Sequence, residues 1–115
     1  MIETHIAARL GALAGGHVYP EIAPPDAPVP RITWLGVGVA TGWVLSGWDG
    51  SQDATLQVDA WAGNKLLALE LANAVFEVMT RPGPGFTVGQ AQRLPDDYES
   101  DTRLFRVSWE FMLQP

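Results

Sequence analysis

Residues 54–79, ATLQVDAWAGNKLLALELANAVFEVM, change their hydrophobic period once, at Gly63 and Asn64, and that change decides the fold class. Before it, Leu56, Val58 and Ala60 fall on one side of an extended chain and Gln57 and Asp59 on the other, as in a strand packed on one side only. After it, Leu67, Leu71, Val75 and Val78 recur at helical spacing. Leu66, Leu69, Ala72, Phe76 and Met79 flank them, so the stripe is broad enough to cover a sheet. Glu70, Asn73 and Glu77 supply the wet face. A strand that runs straight into such a helix belongs to a sheet with helices laid against it.

The flanking segments extend this pattern. Ile2, Ile6, Leu10 and Leu13 are spaced for one face of a short amphipathic helix over 2–14, with Gly15 and Gly16 as its stop. Val18 and Tyr19 read as a short extended piece. Pro20, Pro24, Pro25, Pro28 and Pro30 then forbid helix and favour an extended connector. Residues 31–39 read as a strand whose Gly36 and Gly38 point to a bulge or to another backbone passing close by. Residues 40–53, ATGWVLSGWDGSQD, read as a long loop or the tip of an extended hairpin. Beyond the central helix, 81–85 is a breaker, 86–94 a weak strand and 95–102 an acidic turn. In the last segment Phe105, Val107, Trp109, Phe111 and Leu113 alternate with Arg106, Ser108, Glu110 and Met112. The order is α-β-β-α-β-β. It predicts one α+β domain over 1–115, a mostly antiparallel sheet of about four strands with two helices on one face.

Composition narrows the function. A chain of 115 residues buries roughly two-thirds of its unfolded surface, enough for a core without staples. Its lack of cysteine excludes disulfides, thiolate nucleophiles and cysteine-ligated zinc. Residues 2–13 lack a basic leader and an unbroken apolar run, and no apolar stretch is long enough to span a bilayer. A cytosolic protein without membrane contact is expected. The net charge of -6, with seven scattered Lys and Arg, opposes nucleic-acid binding, which needs a basic face. His5 and His17, the only histidines, have no carboxylate at ligand spacing, so no metal or cofactor is expected. No nucleophile–base pair is present, and the glycines of 83–89 lack the Lys and Ser/Thr of a phosphate loop, which argues against an enzyme. Asp59 reads as a cross-strand partner of Arg106.

Three pieces in order, HVYPEIAPPDAPVPRITW, TLQVDAWAGNKLLALELANAVFEVM and DYESDTRLFRVSWEFML, resemble the tail completion, or tail terminator, proteins of long-tailed bacteriophages and prophages. The matching features are the Q-V-D-x-W strand of Gln57, Val58, Asp59 and Trp61, which leads into an amphipathic helix, and a closing strand with Arg106, Ser108, Glu110 and Phe111. The resemblance covers nearly the whole chain, although 40–53 matches no pattern in it. It implies a structural virion protein that assembles as a ring, commonly a hexamer, on the head-proximal end of the tail tube. Such a ring ends tube polymerisation and joins the head–tail connector. The implied partners are further copies of the chain, the tail tube protein and the connector, with DNA passing through unbound. An acidic subunit suits that passage, because it repels a duplex and lets it slide.

Two groups of residues are candidates for contact. Trp43, Val44, Leu45 and Trp48 sit in a segment too long and glycine-rich for an ordinary turn. They either fold back on the core or anchor an interface with another subunit or the tube. Asp96, Asp97, Glu99 and Asp101 read as a solvated turn, paired carboxylates for acid–base chemistry, a cation loop, or acids that pair with Arg31, Arg93, Arg103 or Arg106 of a neighbour. The competing class is a small α+β ligand-binding or regulatory module, which needs a concave pocket with convergent polar groups.

Overall fold

β3 (Gly47–Ala62) is the spine of the molecule, and it turns directly into α2 (Lys65–Thr80) through Gly63 and Asn64. The computed structural model describes the backbone over 2–44 and 47–114 and the side chains over 3–36 and 54–114. The remaining elements are α1 (Ile2–Leu10), β1 (Val18–Pro20), β2 (Arg31–Val44), β4 (Thr87–Arg93), β5 (Asp97–Glu99) and β6 (Leu104–Gln114). The sheet order is β1-β2-β3-β6-β4, with β5 also on β6. Only β1 and β2 run parallel. Because β3 occupies one edge of β6 along 105–113, β4 and β5 share the other. They form a single broken edge. Gly89 interrupts its register once, and Pro95, which has no N–H to donate, separates the two pieces.

The α+β class and the antiparallel spine are as expected, but the sheet has six strands instead of about four. The two extra pieces are short ladders at the edges: β1, the extended piece read at Val18 and Tyr19 but not counted as a strand, and β5, in the segment read as an acidic turn. Such three-residue strands carry no alternation long enough to be seen in sequence. α1 ends at Leu10, and a tight turn over Leu13–Gly16 with positive φ at Ala14, Gly15 and Gly16 completes the predicted segment. Leu13 and Ala14 still pack on the core, which is why the apolar spacing outlasts the helix.

Both helices cover one face of the sheet. Ile6 and Leu10 from α1, Val75 and Met79 from α2, and Ile32, Leu56, Val58, Phe111 and Leu113 from the strands form the main core. Burying a side chain of this kind stabilises the fold by about 1.5–3 kcal/mol. The buried face of α2 is Ala68, Ala72, Val75 and Met79, one residue round from the predicted stripe, and Leu66 and Leu67 are exposed. Small residues decide this rotation. Ala68 and Ala72 meet Ala60, Ala62 and Val107, so the helix lies close to the sheet at its N-terminal end. At that end the Asn64 side chain accepts a 2.9 Å bond from the Leu67 N–H and caps the helix. Trp109 donates its indole N–H to the Ala72 carbonyl at 3.1 Å, and its ring lies 4.9 Å from Phe76.

Arg9 closes the other end of α2. Its guanidinium donates to the carbonyls of Met79 at 3.0 Å, Arg81 at 2.7 Å and Phe86 at 3.3 Å, and stands 4.3 Å above the Phe86 ring. These carbonyls lie at and just beyond the helix C-terminus, where the last turn's carbonyls have no N–H donors within the helix and a cation is favoured. Gly85, at φ 95°, lets the breaker pass against the His5 ring, where any Cβ would collide. Arg9→Met keeps the apolar stem and removes the donors. It is expected to cost about 1–2 kcal/mol in urea unfolding with an unchanged m-value.

Candidate assembly surface

β2 and β3 are longer than the sheet that holds them. β6 pairs with β3 only from Ala54 to Ala62, and β1 pairs with β2 only from Ile32 to Trp34. Residues 40–44 and 47–53 therefore pair with each other alone, from Ala40 opposite Asp53 out to Val44 opposite Gly47. At 3.3 Å per residue the five β2 residues 40–44 carry this arm about 16 Å beyond the sheet. The molecule measures 52 × 25 × 23 Å. Of the two readings of 40–53, the hairpin is the one that forms, and the strand expected to stop at 39 continues to Val44. Register shifts between Gly36 and Gly38 and between Thr41 and Trp43 mark bulges, devices that bend and twist a ribbon.

The arm's register sets Trp43 directly opposite Trp48. Directly opposed residues project on the same face of a ribbon. The side chains of Trp43, Val44 and Trp48, and all of Leu45, lie outside the described residues.

At the base of the arm, on the helix side of the sheet, lies a groove of about 430 Å³. Its floor is apolar, formed by Ile6, Trp34, Leu56 and Leu113. The opposite face of the sheet is polar and partly covered. Thr33, Asp59 and Ser108 stand in one row across β2, β3 and β6, and all three are buried. The Asp59 carboxyl accepts from Ser108 Oγ, from Gln57 Nε2 at 2.9 Å and from Thr33 Oγ1 at 3.4 Å, while Trp61 Nε1 donates to Thr33 Oγ1 at 2.9 Å. The expected Asp59–Arg106 pair does not form. Arg106 lies opposite Trp61, one row along, with its guanidinium 5.6 Å from the indole and 3.2 Å from Asp97. Asp59 and Arg106 do share a face, but Ser108 takes the position across from Asp59.

The acidic candidates sit at the far end of β6. Asp97 is opposite Arg106, whereas the arm departs beside Leu113, seven residues and about 23 Å along the strand. The structure thus places the two candidate groups apart. Asp96 is paired within its own chain, 2.7 Å from Lys65 and 2.7 Å from Arg93, and Asp97 is paired with Arg106. Asp101 and Arg103 occupy the exposed turn before β6, where the Arg103 N–H donates to the Glu99 carbonyl at 2.8 Å, and neither makes an ion pair among the described residues.

The Lys65 hydrogen bond, with Arg93 beside it, holds the Asp96 carboxyl below the usual carboxylate range, although partial burial works the other way. A lowered folded pKa contributes stability above the unfolded value, and that stability is lost as pH falls through the lowered one. All three side chains are partly exposed, so Asp96→Asn is expected to cost under about 1 kcal/mol at pH 7. The difference from the parent should close on acidification through the carboxylate range, measured by urea unfolding at a series of pH values.

The architecture is that of a known virion component. A chain of the "Virion of native gene transfer agent (GTA) particle" superposes with a TM-score of 0.58 at 15% identity, over 95% of this chain and 82% of that one. No curated protein matches. The tail completion protein gp17 family matches residues 5–113, and the chain belongs to that family. It is therefore a phage tail structural protein, as the order of its motifs implied.

Proposed function

We propose that this chain caps the head-proximal end of the tail tube as a homo-oligomeric ring. The ring ends tube polymerisation and forms the joint to the head–tail connector. The observation that carries this reading is a tail-completion chain with a two-stranded arm reaching past its own sheet. A two-stranded ribbon alone in water is marginal at best, so an arm of this length calls for a partner surface. Its open edges and paired tryptophan positions suit contact with another subunit or the tube. The role is non-enzymatic and needs no cofactor. The acidic balance of -6 keeps a passing DNA duplex from adhering to the ring. Assembly takes place in the host cytoplasm, and the product stays in the virion tail.

Light scattering across protein and salt concentration, with and without tail-tube protein, tests the reading. A closed oligomer, or one that appears only with the tube protein, is the expected result. A strict monomer that ignores the tube protein under every condition would overturn it and favour a small ligand-binding module.

A further inference from the structure

We infer that the groove at the base of the arm is the socket for the arm tip of a second copy of this chain. The inference rests on the ring reading and specifies how successive subunits engage.

Three observations point to this occupant. First, the groove is lined mainly by apolar groups, with the partly exposed Trp34 and Ala54 over Ile6, Leu56 and Leu113, which the core already buries. An apolar hollow of about 430 Å³ is the size that takes one or two large side chains. Second, Gly36 lines it on the helix side of β2, in the same alternation as Ile32 and Trp34, and a Cβ built there meets nothing within 4 Å. A bare glycine in a strand marks a place where another backbone approaches closely, and among the described residues no backbone of this chain does so at Gly36. Third, the residues 40–48, ATGWVLSGW, are uncharged and set Trp43 opposite Trp48.

The chain's own tip does not fill its own groove. Trp43 lies seven residues beyond Gly36 on an extended strand, about 23 Å away. The contact is therefore between copies. The rim suits tryptophan in particular, because Glu3 and Glu21 stand at the edge of the groove. A buried indole needs an acceptor for its N–H, which an aliphatic anchor does not, and either carboxylate serves. A tip on one subunit and a socket on the next make a heterologous interface. Such an interface closes into a ring when the rotation allows it.

Gly36→Phe fills the socket while leaving the fold intact, since the site is open and Phe favours strands. The expected result is a melting temperature at or above the parent's and an assembly midpoint concentration raised at least 100-fold by light scattering with tube protein. Gly36→Ala should stay within about threefold. The chain has no cysteine, so a variant carrying both Val44→Cys and Glu3→Cys reports the contact directly. On oxidation it should give a ladder of linked subunits that neither single variant gives. Gly36→Phe assembling like the parent, or no ladder from an assembled double-cysteine protein, overturns the socket and leaves the ring standing. A parent that never assembles removes both.

Discussion

Asp59→Ala is expected to destabilise the monomer by roughly 3 kcal/mol, on the order of 10 °C in melting temperature. Asp59 is only 4% exposed, on the sheet face away from the helices. Its carboxyl is the common acceptor for Ser108, Gln57 and Thr33, and Thr33 in turn accepts from Trp61. Truncation leaves two buried hydroxyls and an amide with no acceptor, and each orphaned group costs about 1–3 kcal/mol. Asp59→Asn should cost less, about 1 kcal/mol, because one carbonyl acceptor remains and both hydroxyls can rotate to receive the new N–H. A double-mutant cycle with Ser108→Ala is the sharper measurement. The double variant should lose less than the sum of the two singles, since each removes the other's partner. Additive losses would mean that the row is three independent residues and not one network.

That row shows where the sequence was legible and where it was not. The period change at Gly63 and Asn64 announced the strand and helix correctly, because both elements bury one face against a large partner. The same alternation labelled Gln57 and Asp59 as wet. Asp59 is buried because the chain covers part of the second face of the sheet, and nothing in a two-residue period reports a cover made by irregular chain. The rotation of α2 was hidden for a related reason. Hydrophobicity favours Leu67 over Ala68, but close approach to Ala60 and Ala62 favours the alanine. The arm was half legible: tryptophans among glycines marked an unusual segment, while its two bulges broke the alternation that would have declared strands. Gly36 was the one visible sign of the groove. The roles of Lys65 and Arg9 had no local signal, since their partners lie 31 and at least 70 residues away.

Replacing Trp43 and Trp48 together by Ala is expected to leave the thermal transition of the monomer nearly unchanged while abolishing assembly with the tail tube. The separation follows from the pairing. Beyond Ala54 the arm's ladder runs only between β2 and β3, so the cooperative core of α1, α2 and the central strands does not depend on it. Rings inserted in that core would behave otherwise, and truncating either would cost about 3–5 kcal/mol of monomer stability. At an interface the same truncation acts on association alone, where a buried tryptophan is worth about 2–4 kcal/mol. A closed ring repeats the loss at every junction, so a change that is modest for one contact is decisive for the whole assembly. Calorimetry of the variant and light scattering with tube protein measure the two effects independently. A large drop in the melting temperature would place the indoles in the fold, and unimpaired assembly of a stable variant would take the arm's tip out of the interface.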